Sequence, residues 1–210
     1  MTKINRRKFL TNMAIASASA IVSTGLHAKM VTPTDAKGPF YPITPQKDKD
    51  FDLTQIQGKS GVAKGEIIEI SGQVFDTDLN PIEDATIDLW QANSFGKYHH
   101  PHDSSDAPVD EYFQGWAIFQ SGKDGRFKFK TVMPGAYPLG SSNPRTPHIH
   151  LMVSKLGYVE LITQMYFPDQ PLNDQDGLFK RKSKAQQQAI TAKRQGASNR
   201  YQYDIVLEKV

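Results

Sequence analysis

The stretch EIIEISGQVFDTDLNPIEDATIDLW, residues 66–90, decides the fold class of the chain. In 66–75 and again in 85–90, apolar side chains mostly recur with a period of two, which is typical of strands with one buried face. Between these segments, DTDLNP at 76–81 is rich in residues that favour turns. The stretch therefore predicts two β-strands joined by a turn.

Most of the chain after this stretch repeats the pattern. A hairpin-type turn, KDG at 123–125, precedes a segment at 126–131 in which apolar and basic residues alternate. Further strands are predicted at 148–154, 159–167 and 201–207, and a single sustained helix-like segment at 183–195. The sequence therefore predicts an all-β fold, an antiparallel β-sandwich with long loops and at most a short C-terminal helix.

The size and composition of the chain are those of one globular domain. It has 210 residues, of which 38% are hydrophobic and 22% are charged. It contains no cysteine, which excludes disulfides, iron–sulfur clusters, thiolate metal sites and cysteine nucleophiles. Any chemistry must use other side chains.

The N-terminal residues have the pattern of a targeting segment. The basic sequence NRRKFL at 5–10 precedes a modestly apolar run at 13–22, which is too short to span a membrane. The paired arginines resemble a twin-arginine export signal, with an ordinary secretory signal or a basic tail as alternatives. We expect a signal peptide at 1–28, a catalytic domain at 29–210, and an exported protein, periplasmic or extracellular.

The distribution of charge argues against a nucleic-acid partner. The formal net charge is +3, but residues 1–28 hold four of the 25 basic residues and none of the 22 acidic ones. The remainder is therefore close to neutral, and it has no basic stripe that could follow a phosphate backbone.

A pair of histidines provides the first candidate for chemistry. His148 and His150 stand two apart in a predicted strand, so both imidazoles point to one face and can reach one ion. A hydrogen-bonded core pair and a cupin-type ligand pair are the alternatives. Three other histidines, His99, His100 and His102, are interpreted as part of a solvated loop.

Two tyrosines in turn-rich settings strengthen the case for a metal. Tyr98 and Tyr137 each follow a predicted strand, and phenolates are hard anionic donors. Together with the two imidazoles they would favour Fe(III) over Zn(II) or Cu(I), whereas the structural alternative is that both tyrosines only cap the sandwich. Arg145 would place a fixed cation beside the ion, or else lie on the surface.

These residues lie within blocks that resemble the intradiol ring-cleavage dioxygenases, non-haem Fe(III) enzymes that split catechols between the two hydroxyl-bearing carbons. The similarity runs from Gly38 to the C-terminus. Six blocks carry it in order: GPFYP at 38–42, DLWQANSFGKY at 88–98, PGAYP at 134–138, RTPHIH at 145–150, LITQMYF at 161–167 and YDIVL at 203–207.

The resemblance implies a site, a cofactor and a reaction. Its implied Fe(III) ligands are Tyr98 and His148 in the equatorial plane and Tyr137 and His150 in axial positions. Tyr137 would also accept substrate protons, Arg145 would stabilise the carbanion-like substrate, and Gln164 would support it as a hydrogen-bond donor. A catechol and O2 would yield a muconate-type dicarboxylic acid.

Within the family, the compact length and the block at 161–167 are more similar to protocatechuate 3,4-dioxygenase subunits than to catechol dioxygenases. Leu139 and Pro144 stand where tryptophans are usual, which leaves the ring substituent open. The resemblance is also compatible with a homo- or hetero-oligomer. A rival from another class is an exported, non-catalytic β-sandwich binding module.

Overall fold

The computed structural model describes residues 29–44, 46–138 and 144–210, so the predicted signal at 1–28 lies outside the described residues. The strands and helices, in chain order, are β1 (Ile67–Asp76), β2 (Thr86–Trp90), β3 (Trp116–Gln120), β4 (Arg126–Val132), β5 (His148–Ser154), β6 (Leu161–Tyr166), α1 (Gly177–Lys180), α2 (Lys184–Ile190), β7 (Lys193–Arg194), β8 (Arg200–Gln202) and β9 (Ile205–Leu207). Within the described ranges, no helix is long and apolar enough to cross a membrane.

The strands form two sheets, which confirms the predicted all-β sandwich. One sheet has the order β4-β1-β8-β7, with β9 also paired to β1, and the other has the order β3-β2-β5-β6. Most neighbours are antiparallel, but β8 and β9 both run parallel to β1. The first sheet is therefore mixed. A parallel strand needs a long connection, and here the chain between β1 and β8 includes five strands of the sandwich, both helices and β7.

The predicted strand at 201–207 is split in two where it passes β1. The backbone amide of Tyr203 donates a hydrogen bond to the carbonyl of Ser71. A Cβ atom on Gly72 would lie only 1.8 Å from the carbonyl oxygen of Tyr203. The last strand can approach β1 this closely because position 72 has no side chain.

The core lies between the sheets and is formed by alternate residues of their strands. In β1 the buried positions alternate with more exposed ones, as the period of two predicts. The opposite sheet contributes side chains from β2, β5 and β6. The largest fully buried members of this core include Ile68, Ile70, Phe129, Ile87, Leu89, Ile149, Leu151 and Met165.

The helical region is shorter than the predicted segment at 183–195. The helix α2 begins at a capping box formed by Ser183 and Gln186 and ends at Ile190. Thr191 is extended, and residues 193–194 pair with β8, so the chain leaves the helix to complete the first sheet. The other helix, α1, was not predicted, because it is only four residues long.

The outer face of the second sheet is also buried, which positions the candidate site. One register row crosses all four strands, with Trp116 opposite Trp90, Trp90 opposite His150, and His150 opposite Gln164. Phe40 and Tyr41, from the segment that precedes β1, pack against the aromatic side chains on this face. The candidate ligands are therefore enclosed between the sheet and its covering segments.

The turn after β1 depends on a buried carboxylate. Asp76 is 1% exposed and accepts hydrogen bonds from the backbone amides of Asp78 and Asn80 and from the Asn80 side chain. Lys209 lies 2.8 Å from Oδ2 of Asp76. Burial by itself raises the pKa of Asp76, but the bonds from Lys209 and Asn80 outweigh burial and lower that pKa to about 2.

The depressed pKa of Asp76 predicts a pH-dependent contribution to stability. The stabilisation is complete above the ordinary aspartate pKa of 3.8 and is lost as the pH falls through the folded-state value of about 2. At neutral pH, Asp76→Asn should lower the free energy of unfolding by about 1–3 kcal/mol in denaturant titrations, because charged hydrogen bonds are lost. The difference from the wild type should shrink as the medium is acidified.

Asp78→Asn is the matched control, because Asp78 also pairs with Lys209 but its side chain is 67% exposed. An equal loss in both variants would contradict the prediction.

Candidate metal centre

Strand β5 places His148 and His150 side by side on the buried outer face of the second sheet. They are 1% and 2% exposed, and their Nε2 atoms lie 3.2 Å apart. The spacing of two residues brings the rings to one face, as expected for a strand. Two imidazole nitrogens therefore meet at one point.

The surroundings of the histidines favour neutral rings. Nδ1 of His148 lies 2.6 Å from the carbonyl oxygen of Thr146. A carbonyl only accepts hydrogen bonds, so we assign the proton to Nδ1, which leaves Nε2 with a free lone pair. Burial, with a further contribution from Arg145, lowers the pKa of His148 to about 3, and burial also holds the pKa of His150 well below its usual range. Neutral imidazole is the form that binds metals.

Two tyrosines complete the cluster. The hydroxyl of Tyr137 lies 3.2 Å from Nε2 of His148. The ring of Tyr98 stands edge-on to the Tyr137 ring, with 5.2 Å between their centroids. Tyr98 and Tyr137 are 3% and 5% exposed, and burial is the main cause that raises both hydroxyl pKa values. All four predicted ligand residues are thus brought together by the fold.

The donor set fits a hard, highly charged cation. Within the described part of the chain, the buried hydroxyl of Tyr98 has no hydrogen-bond partner, which is costly unless another group satisfies it. A bound cation would satisfy this oxygen and reverse the effect of burial on the phenol pKa values. Two phenol oxygens with two imidazole nitrogens suit Fe(III) better than a soft ion. Residues 29–44, 46–138 and 144–210 contain no group of three or more His, Asp or Glu that could hold a metal.

His150 is held by close packing on both sides. The indole ring of Trp90 stacks on the His150 imidazole, with 4.9 Å between centroids and an interplanar angle of 6°. On Gly38, a Cβ atom would lie 3.1 Å from Cε1 of His150, and the backbone of Gly38 has a φ of 75°. The sequence indicated Gly38 only as part of a family block, whereas the structure shows that a bare backbone is needed there.

Arg145 is buried beside the ligand cluster, not on the surface. It is 5% exposed, and its backbone forms an isolated β-bridge with Tyr137. Its Nε donates a 2.7 Å hydrogen bond to Asp176, while Nη2 donates to Oε1 of Gln164 and to the hydroxyl of Tyr166. A permanent positive charge is therefore fixed next to the imidazoles and phenols.

Gln164 is close to the site, but its bonds in this structure are made to protein groups. Its Oε1 accepts from Arg145 and from the hydroxyl of Tyr166, and its Nε2 donates a 2.8 Å hydrogen bond to the carbonyl of Ala36. Gln164 therefore orients Arg145 and ties the segment before β1 to β6.

Sequence reasoning missed several residues that support the cluster. Asp176, Thr146 and Tyr166 were not singled out, although the last two lie inside family blocks. The one local signal for Asp176 is an aspartate followed, after Gly177, by the apolar pair Leu178 and Phe179, which is a possible helix N-cap. In the loop of histidines, His100 is buried at 8% exposure, which differs from the expected solvated loop, while His99 and His102 are exposed.

Comparisons with known proteins agree with this fold and identify the family. A family model described as dioxygenase matches residues 36–209. The chain is also 32% identical, over 198 residues, to the protocatechuate 3,4-dioxygenase beta chain of Burkholderia cepacia, covering 81% of this chain and 84% of that relative. The chain therefore belongs to the intradiol ring-cleavage dioxygenase family, a family of oxidoreductases. This membership does not favour the non-catalytic binding module.

Other relatives show how widely the similarity extends. A hydroxyquinol 1,2-dioxygenase from Rhizobium sp. is 33% identical over 129 residues, which cover 55% of this chain but only 42% of that enzyme. Among solved structures, the dioxygenase domain of a carbohydrate-binding fusion protein from Streptomyces sp. SirexAA-E has a TM-score of 0.66 and 27% identity, covering 86% of this chain and all of that domain. The 3-chlorocatechol 1,2-dioxygenase of Rhodococcus opacus, at 20% identity and a TM-score of 0.64, covers 87% of this chain and 76% of that enzyme, and supports the fold.

The close approach of Gly38 to His150 predicts that a substitution at Gly38, which is not a proposed ligand, lowers the amount of bound metal. Gly38→Ala would place a methyl group against the imidazole and should lower bound metal, measured by metal analysis of the purified protein. Gly58→Ala is the matched control, because Gly58 also has a positive φ, 85°, but nothing lies within 4 Å of its added Cβ. Both variants should lose about 1–2 kcal/mol of stability from the left-handed backbone, but only Gly38→Ala should lose metal. Equal metal content in the two would contradict this interpretation.

Proposed function

We propose that the chain is a non-haem Fe(III) dioxygenase whose ligands are Tyr98, Tyr137, His148 and His150. One observation carries the proposal. Two neutral imidazoles with facing Nε2 atoms and two buried tyrosine hydroxyls, one of them unpartnered, are gathered on the outer face of the second sheet. When bound, Fe(III) supplies a Lewis acid that binds a catechol through its oxygens and makes the aromatic ring reactive toward O2.

The side chains around this centre have distinct proposed roles. A bound cation would hold Tyr137 as the tyrosinate, and in that form Tyr137 would accept a proton from the incoming diol and become the neutral phenol. The guanidinium of Arg145 stabilises the negative charge that develops on the substrate ring. Gln164 holds Arg145 and donates to the carbonyl of Ala36, so its support of the substrate is indirect.

The proposed substrate is a catechol-type diol, protocatechuate or a relative of it. Cleavage of the bond between the two hydroxyl-bearing carbons, with both atoms of O2 incorporated, gives a muconate-type dicarboxylic acid. The similarity to a protocatechuate 3,4-dioxygenase beta chain supports this class, and the similarity to a hydroxyquinol 1,2-dioxygenase supports a second ring to be tested. Leu139, one of the two positions that left the substituent open, lies outside the described residues.

Export and assembly complete the proposal. The basic and apolar pattern of residues 1–28 supports twin-arginine export of a domain at 29–210 to the periplasm or the extracellular space. Twin-arginine export carries folded proteins, which suits a domain that closes around a metal before it crosses the membrane. Assembly with further copies or with a second type of subunit is proposed from the resemblance to protocatechuate 3,4-dioxygenase subunits.

The proposal predicts the colour and reactivity of the purified protein. Metal analysis should find iron, and tyrosinate-to-Fe(III) charge transfer should colour the resting protein wine-red. Without oxygen, the visible band should shift on addition of catechol, protocatechuate or hydroxyquinol. The size of the shift that each diol causes at the same low concentration ranks the three as substrates. Admission of O2 should then consume the diol and release the ring-opened diacid, identified by mass spectrometry. A protein that stays colourless and iron-free after reconstitution would overturn the proposal.

Two ligand variants and one matched control test the assignment of the site. His148→Ala should lose iron, because one of two imidazoles is removed, and Tyr137→Phe should weaken activity and change the colour. Changes to metal-site groups typically reduce affinity or activity by about 10- to 100-fold or more. Tyr203→Phe removes a hydroxyl from another buried tyrosine, located in the core between the sheets, and should leave the spectrum unchanged. Full iron occupancy and normal turnover of His148→Ala would contradict the assignment.

A further inference from the structure

Asp176 lies behind Arg145 and uses both oxygens of a fully buried carboxylate. The residue is 0% exposed. Its Oδ1 accepts hydrogen bonds from the backbone amides of Leu178 and Phe179 and so caps α1. Its Oδ2 accepts from Nε of Arg145 at 2.7 Å and from the backbone amide of Thr146 at 3.1 Å. One carboxylate therefore joins a helix start to the candidate active site.

We infer that Asp176 is a positioning residue that fixes the guanidinium of Arg145 at the metal centre, an inference that rests on the proposed function. Among the residues that the structure describes, the other side-chain partners of Arg145 are Oε1 of Gln164 and the hydroxyl of Tyr166, and both are neutral. Asp176 supplies the negative charge that balances the buried guanidinium. Removal of one partner from a buried ion pair leaves an uncompensated charge, which is far more costly than loss of an exposed pair.

Helix capping alone does not explain an aspartate at this position. A cap needs one side-chain oxygen, and Ser, Thr or Asn supplies it as well as Asp does. The neighbouring helix α2 shows this, because its cap is the hydroxyl of Ser183, which bonds to the amide of Gln186. The second oxygen of Asp176 is the one that meets Arg145 and Thr146, so the carboxylate serves the site as well as the helix.

The position of Arg145 in the chain makes this arrangement rigid. The backbone amide of Arg145 donates a 2.8 Å hydrogen bond to the carbonyl of Tyr137, a proposed ligand. The backbone end of Arg145 is therefore bound to a ligand residue, and its charged end to Asp176. The carbonyl of Thr146, whose amide also meets Asp176, accepts from Nδ1 of His148. Asp176 thus holds the guanidinium against two ligand-bearing segments without touching substrate.

Asp176→Asn tests the inference, because an asparagine has only one acceptor oxygen. If that oxygen caps α1, the amide NH2 faces Arg145 and cannot accept its hydrogen bond. If the oxygen faces Arg145, the cap is lost, and in both cases the negative charge is removed. We expect iron content to stay close to that of the wild type, while kcat falls by about 10- to 100-fold with a much smaller change in KM. Without oxygen, the shift of the visible band on catechol binding should change in the same direction as in Arg145→Ala. Asp176→Ser, which keeps only a capping hydroxyl, should behave in the same way and serves if the asparagine variant does not fold.

Two controls separate positioning from structure. Ser183→Ala removes the cap of α2 and should lower thermal stability while kcat stays within about twofold. Caps contribute about 1 kcal/mol to folding, and Ser183 lies at the opposite end of α2 from Ile190, the residue that packs against Tyr166. In an Arg145→Ala background, Asp176→Asn should cost less than about threefold in kcat, because the group that it positions is already gone.

Three outcomes would overturn the inference. Wild-type kcat and an unchanged catechol-induced spectrum in both Asp176 variants would show that Arg145 does not depend on this carboxylate. If Asp176→Asn lowered kcat as much in the Arg145→Ala background as in the wild type, the carboxylate would affect kcat by some means other than positioning Arg145. A wild-type protein that binds no iron and cleaves no catechol would overturn the proposed function itself, and the inference with it.

Discussion

The burial of polar donors on the outer face of the second sheet is the constraint on which the rest of the structure depends. Strand β5 directs both of its histidines away from the sandwich core, where they would reach solvent in a simple two-layer fold. The covering segments exclude water from them, and this exclusion makes every unpartnered polar group there expensive. Neutral imidazoles, protonated phenols and an orphan hydroxyl are the direct results. A bound cation of high charge would relieve all of them together.

Around this cluster, the polar network is arranged in layers. Arg145 contributes a buried positive charge beside the cluster, and its hydrogen bonds reach Gln164, Tyr166 and Asp176. Asp35 extends the network, since its Oδ2 lies 3.4 Å from the Tyr166 hydroxyl oxygen and 3.2 Å from Nζ of Lys182. The segment before β1, the strand β6 and the helical region are thus joined through buried polar contacts to one guanidinium. Such networks specify a unique arrangement when every member is satisfied.

The sequence predicted the parts of this structure that depend on local periodicity. A period of two located β1, β2, β4 and β5, and it placed His148 and His150 on one face, since side-chain direction in a strand follows from position alone. Tyr98, Tyr137 and Arg145 were singled out by their sequence settings and side-chain chemistry, and the family blocks then contained them. The fold brings all of them to the histidines. Periodicity carries no information about which strand pairs with which, so the parallel pairing of β8 and β9 with β1 was not foreseen. Asp176 was missed for a similar reason, because it lies 31 residues from Arg145 and only the folded chain joins them.

The β-bridge between Tyr137 and Arg145 has a consequence for how the family can diversify. Two hydrogen bonds between their backbones join a proposed ligand to a proposed charge-stabilising residue, although seven residues separate them in sequence. Because the two ends are fastened to each other, the composition of residues 138–144 can change while the backbones of Tyr137 and Arg145 keep their relative positions. Sequence variation within that segment is therefore uncoupled from the geometry that joins the two residues.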